Sequence, residues 1–167
     1  MKKRTFAAIA LAVCFVLAVF AGCTDDKTDG EKALSVGLTV ECISLVQTPD
    51  AVAEAYKTLV PDDGYIIKRE TFGADEGENL YGFLLRIAKD RGIAVVSSDG
   101  FTGGKYVSAI ANISDTATTS GYWGGWTFTV NGETPKDGET WLSIDQVTLK
   151  DGDEVLFSYT IGAAGEY

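Results

Sequence analysis

Leu80, Phe83, Leu84, Ile87 and Ala88 repeat with the 3.6-residue period of a helix, among segments whose apolar residues alternate every second position. That contrast constrains the fold most, because a helix with one apolar stripe must lay it on something, and alternating strands supply a sheet. Asn79 can cap this helix, and Arg86, Lys89 and Arg91 gather toward its end, where cations suit the macrodipole. Gly92 ends it, since glycine readily takes the left-handed conformation that closes a helix. Upstream, Leu34, Val36, Leu38, Val40 and Cys42 alternate with Ser35, Gly37, Thr39 and Glu41, which predicts a strand over roughly 34–44. Tyr65 to Phe72, rich in β-formers, predicts a second. Between them Thr48 and Pro49 open like a helix N-terminus, and Val52, Ala55, Tyr56 and Leu59 fall at i, i+3, i+4 and i+7. A short helix is expected there, closed by a turn at Pro61-Asp62-Asp63-Gly64.

The remainder reads as β. Ile93 to Val96 and Tyr106 to Ile113 predict strands. Trp126, Phe128 and Val130 alternate before Asn131-Gly132, a tight-turn pair, and Val155, Phe157, Tyr159 and Ile161 alternate after the turn Lys150-Asp151-Gly152-Asp153. A strand pair, a crossover helix and further strands within residues 34–161 predict an α+β fold, a mixed sheet with one main helix packed on one face.

The N-terminus carries a separate message. Lys2, Lys3 and Arg4 precede an uncharged apolar run from Thr5 to Phe20, 16 residues, where a membrane-crossing helix needs about 20. Ala21 and Gly22 then lead into Cys23, the arrangement of a bacterial lipoprotein signal, although Phe20 stands where leucine is usual. Residues 1–22 are expected to be a signal peptide, and Cys23 the lipidated first residue of the mature chain. An ordinary cleaved signal or an uncleaved anchor are the alternatives. Acylation with more than one chain would hold the protein on the extracytoplasmic face of the bacterial membrane. Residues 23–33 read as the lipidated cysteine and a polar tether, and 34–167 as one domain.

Charge and composition narrow the chemistry. The formal net charge is −10, and residues 1–22 hold three of the 14 Lys and Arg and no acid, leaving 11 basic against 24 acidic groups. Such a surface repels nucleic acid. The chain has no histidine, which removes imidazole bases, Ser-His-Asp triads and His-ligated zinc. Beyond Cys14 and Cys23 the only thiol is Cys42, read as a small buried apolar side chain, with a reactive thiol as the alternative. Asp151-Gly152-Asp153-Glu154 lacks the ligand spacing of an EF-hand and reads as a turn with solvated carboxylates. No catalytic residue, metal ligand or resident cofactor is expected.

Residues 120–159 contain SGYWGGWTFTVNGE and, later, LKDGDEVLFSY; Tyr106 and Ile110-Ala111-Asn112-Ile113 precede them, and Leu59-Val60-Pro61-Asp62-Asp63-Gly64 lies upstream. In this order the segments resemble the transcobalamin-like C-terminal domain, a family of bacterial surface lipoproteins and animal cobalamin carriers. The resemblance implies a β-grasp-like domain and a corrinoid contact, with cobalamin as a candidate ligand. The carriers clamp cobalamin against a large helical domain, so any contact here would be half of that clamp.

Tyr122 and Trp123, with Gly124 and Gly125, read as a glycine-rich loop before the strand, so the exposed rings form a candidate ligand-binding rim. Trp141, on the long loop 133–146, could add a third ring or merely anchor that loop. Trp126 and Phe128 read as core. The expected function is therefore capture of a small ligand, with a membrane transporter as the partner that would receive it; the competing class is a surface protein–protein interaction or adhesion module.

Overall fold

The computed structural model describes residues 33–100 and 103–163. The signal segment 1–22, Cys23 and most of the tether lie outside the described residues. Among those described, no helix is long and apolar enough to cross a membrane.

β1 (Leu34–Glu41) and β2 (Tyr65–Ala74) form an antiparallel pair with irregular register near Leu38 to Glu41. β9 (Glu154–Ala163) runs parallel to β1, and β6 (Tyr122–Val130) pairs antiparallel with β9, giving the sheet order β2-β1-β9-β6. The main helix, α2 (Leu80–Arg91), is bounded as its caps require: Asn79 accepts from the Gly82 amide at 2.8 Å, and Gly92 closes it at φ 66°. Its stripe of Leu80, Phe83, Leu84 and Ile87 joins the same core as Val36, Leu38 and Val40 of β1, and Phe83 meets Phe72 of β2 edge to face at 6.3 Å. This is the expected α+β, β-grasp-like arrangement of a mixed sheet with one main helix.

A second, three-stranded sheet is made by β3 (Val95–Asp99), β4 (Lys105–Ile110) and β5 (Ile113–Ser114), in the order β3-β4-β5. Its Val107, Ile110 and Ile113 complete the core. A two-stranded hairpin, β7 (Lys136–Asp137) and β8 (Thr140–Trp141), folds out of the long 133–146 loop.

Three expectations are corrected. No single helix covers 48–59. A short helix, α1 (Ile43–Gln47), takes the end of the first expected strand, followed by separate 3-10 turns at Pro49–Ala51 and Glu54–Tyr56. Ala53 donates to the Ala117 carbonyl at 2.9 Å and Val52 bridges Thr118, so strand-like contacts interrupt the helix, leaving Ala55 and Leu59 exposed. The expected strand 106–113 is instead a tight hairpin, because Ala111 and Asn112 both adopt positive φ. Asp153 is not a solvated carboxylate. It is buried, one oxygen accepting from the Asn131 side chain at 2.9 Å and the other from the Lys150 amide at 2.8 Å, so it latches the Asn131-Gly132 turn to the turn before β9.

The two sheets share no strand pairing, and aromatic side chains tie them. Trp126 of β6 and Tyr159 of β9 pack edge to face at 5.4 Å. The Trp126 indole donates to the Ile113 carbonyl at 2.8 Å, and the Tyr159 hydroxyl to the Ser114 carbonyl at 3.0 Å. Trp126→Ala is expected to cost about 3–5 kcal/mol in denaturant unfolding, the range for a buried tryptophan replaced by alanine. Tyr159→Phe, which only strands the Ser114 acceptor, should cost about 1–3 kcal/mol.

Burial pushes the Tyr159 hydroxyl up to about 12, and burial, with Glu41 and Asp63 adding, pushes the Cys42 thiol up to about 11. Both groups then keep their protons in the folded chain at pH values where the unfolded chain has lost them. Their contribution is complete below the unfolded values, near 9 for Cys42 and 10 for Tyr159, and is lost as pH rises through 11 to 12. Urea midpoints should therefore fall between about pH 9 and about pH 11, and the fall should shrink in the double variant Cys42→Ala, Tyr159→Phe.

Candidate functional site

The structure separates the three aromatic residues that the sequence suggested for one rim. Tyr122, Trp123, Gly124 and Gly125 do not form a loop; they are the first residues of β6, paired with β9 from Tyr122↔Ala163 to Gly125↔Thr160. Strand geometry sends neighbouring side chains to opposite faces, so Tyr122 and Trp123 cannot present one stacked surface. These four residues extend the strand because β9 continues opposite them to Ala163, where the sequence pattern had ended near Ile161.

The glycines have a steric reason. A Cβ on Gly124 would run into the Tyr159 hydroxyl and the Thr118 methyl, and one on Gly125 would lie 3.0 Å from the Tyr106 hydroxyl. Across the pair, a Cβ on Gly162 would fall within the Trp123 indole. Trp123 thus lies over Gly162 and remains 39% exposed. Trp141 is elsewhere, on β8 and 54% exposed. Tyr122 opens β6, and Phe128, which shares a groove with Trp141, lies six residues further on, about 20 Å along an extended strand.

Trp141 instead belongs to a groove where the two sheets meet edge to edge. A concavity of about 220 Å³ lies between β4 and β6, lined by Tyr106, Val107, Trp126, Phe128 and Phe157. Lys105, Tyr106 and Phe128 also line a neighbouring space of about 400 Å³, closed by Ser98, Gly104, Trp141 and Ser143. Trp141 in turn lines a third space, about 650 Å³, with Asn131, Thr134, Lys136, Thr148 and Lys150. Shared walls make these one composite groove, and Trp141 divides its wider part. A further hollow of about 390 Å³ lies under Leu45, Val46, Pro49 and Val60, but it has no aromatic side chain.

The groove is positioned by short-range contacts. Asp145 accepts from the Lys105 amide at 2.7 Å, a bond that holds its carboxyl below the usual carboxylate range and fixes the start of β4. A capping box at Ser143 and Gln146 orders the turn Ile144–Gln146 beneath it. Gly104 is buried against Ser143, and any side chain there would collide with the Ser143 hydroxyl. Lys136 sits over the Trp141 ring at 3.6 Å, which orients the indole, while Lys105 is paired with Asp99 at 2.6 Å. Phe128, expected in the core, is half-buried, with its ring 5.9 Å from Phe157, and contributes to the groove wall. Sequence patterning missed Tyr106 and Phe128 as site residues because alternation reports which face of a strand is apolar, and both lie at a sheet edge.

The arrangement offers ring faces, lysines and the carboxylates of Asp99, Glu133 and Asp153. Among the described residues, no cluster of three or more His, Cys, Asp or Glu could hold a metal ion, and every buried side-chain nitrogen or oxygen has a hydrogen-bond partner. Cys42 is wholly buried, as read from the strand pattern, and its raised pKa keeps the thiol protonated at neutral pH.

Among solved structures the chain is similar to one at 1.30 Å of a protein from Ruminococcus gnavus ATCC 29149, described as a candidate metal binding protein. The two are 17% identical with a TM-score of 0.41, over 77% of this chain and 98% of the other. Likeness at that level transfers no ligand. No curated protein matches the chain. Residues 77–160, from the turn before α2 into β9, match the model of the family described as Domain of unknown function (DUF4430); the match spans half of the chain, and the protein belongs to that family.

Proposed function

We propose that this is a binding protein, anchored through an acylated Cys23 on the extracytoplasmic face of a bacterial membrane, that takes a small ligand into the groove between β4 and β6. The observation that carries the reading is the composition of that groove: Tyr106, Phe128 and Trp141 offer ring surface, and the lysines Lys105, Lys136 and Lys150 line it together with the carboxylates of Asp99, Glu133 and Asp153. Pockets of this size with a few placed polar groups are where small ligands bind. A corrinoid is the named candidate, by the resemblance of residues 106–159 to the transcobalamin-like domain, and a flat macrocycle suits ring faces set at a sheet junction. Delivery to a membrane transporter would follow from the anchor. The absence of histidine from the sequence supports holding over turning over.

The competing reading, a surface protein–protein interaction module, is favoured by β3. That strand pairs with β4 alone, and its Val96 is 54% exposed, so its other edge could accept a partner's strand.

Titrating the full chain with hydroxocobalamin, followed by absorbance and calorimetry, separates these readings. Binding is expected, and Trp141→Ala should weaken it by about 1–3 kcal/mol while moving unfolding stability by less than about 0.5 kcal/mol. No heat and no spectral change at high micromolar ligand would remove the corrinoid. Mass spectrometry of protein from membranes should find a diacylglyceryl group on an N-terminal Cys23, and a free, unmodified terminus there would sink the anchor.

A further inference from the structure

The groove occupies one junction of the fold, while the face of the main sheet away from α2 is a different surface. Register places on it the side chains of Trp123, Thr127 and Thr129 from β6, Ser158 and Thr160 from β9, and Thr39 from β1. All are exposed or half-buried. Their opposite-face neighbours Val155, Phe157 and Tyr159 are in the core, so this assignment of faces follows from burial as well as alternation.

The surface is pre-ordered. The Thr127 hydroxyl donates to the Ser158 carbonyl at 3.2 Å and lies 3.0 Å from the Thr160 hydroxyl, and the Ser158 hydroxyl donates to Glu41 at 3.3 Å. At one end the Trp123 indole is held over Gly162 with 39% of the residue still exposed. A ring fixed in this way loses little entropy on stacking, and hydroxyls held on a sheet need not be ordered when a ligand arrives.

Charge identifies the occupant. In a chain of net charge −10, the β6–β9 rows from Trp123 to Thr129 carry no charged side chain; beyond them on the same face, Glu41 of β1 is engaged by Ser158 and Glu154 of β9 is paired with Arg69 of β2. A membrane surface or nucleic acid would call for unpaired cations, and Arg69 at the margin of this face is already taken up by Glu154. A protein partner would call for a cluster of apolar anchors, and Leu156 is the one aliphatic residue among them. Uncharged hydroxyls with a single immobilised indole match a neutral polysaccharide, whose sugars offer C–H faces to an aromatic ring and hydroxyls that both donate and accept. We infer that the outer face of the β1-β9-β6 sheet is a binding platform for a neutral polysaccharide, with Trp123 as its stacking residue. The groove reading neither supports nor requires this site.

Affinity electrophoresis tests it, using the full chain in a sugar-free non-ionic detergent, in native gels containing hydroxyethyl cellulose, xyloglucan, arabinoxylan or dextran. At least one polysaccharide should retard the wild type. Trp123→Ala should weaken that retardation about tenfold or more in apparent affinity. Since this variant also uncovers Gly162, Thr127→Glu provides a second probe: it leaves Trp123 in place, puts a charge among the hydroxyls and should weaken retardation similarly. Thr58→Glu, on the exposed turn after Tyr56, adds the same charge elsewhere and should migrate with wild-type retardation. The proposal is overturned if no polysaccharide retards the wild type, or if retardation survives Trp123→Ala or Thr127→Glu undiminished. It is also overturned if sedimentation without polysaccharide shows a dimer that Thr127→Glu dissolves, which would assign the face to a second copy of the chain.

Discussion

Trp126 and Tyr159 meet edge to face in the core, and each sends its polar atom to the same short segment, the carbonyls of Ile113 and Ser114. A polar group taken out of water must find a partner or cost kilocalories, so the two donors fix where the β4–β5 hairpin sits against the main sheet. No strand ladder joins the sheets, and this pair sets the spacing between β4 and β6 in its place. The candidate groove is the consequence: the β4 and β6 edges stand close enough for Tyr106 to lie against Gly125, yet leave Phe128 and Trp141 open on one side.

Glycine serves the same architecture by absence. Gly124 admits the Tyr159 hydroxyl on its way to Ser114, and Gly162 admits the Trp123 indole across the strand pair. In both places a methyl group would displace an aromatic ring. The glycines around the Tyr-Trp pair therefore mark close packing within a strand, where the sequence alone had suggested a pliable loop. Asn131 and Asp153 do for the opposite end of β6 and β9 what the aromatic pair does in the core. Their side chains join two turns, one of them held at positive φ by Asn131 and Gly132, so that both ends of the long pair are secured.

Much of the fold was legible where the signal was local. α2 begins at its cap and ends at its glycine because an Asn side chain and a left-handed glycine act within one turn of chain. The strands β1, β6 and β9 show their buried faces because alternation is a property of the strand itself, and Cys42 falls where that alternation puts it. Reading failed where the decisive partner was far away. Pro49 to Leu59 has a helical stripe but meets residues 117–119, which draw its backbone into bridges and 3-10 turns. Ala111 and Asn112 turn at positive φ inside a run of β-formers, with the hairpin pinned by contacts from Trp126 and Tyr159.

For the site the division is sharper. The sequence by itself determined the α+β class, an acidic histidine-free composition and the aromatic residues available for recognition, because composition and short-range period carry that information. Only the tertiary structure decided which rings share a surface. Tyr122 and Trp123, adjacent in sequence, are sent to opposite faces by the pleat, while Tyr106, Phe128 and Trp141 are brought to one groove from separate strands. Strand pairing between distant segments fixes such groupings, and no local pattern contains it.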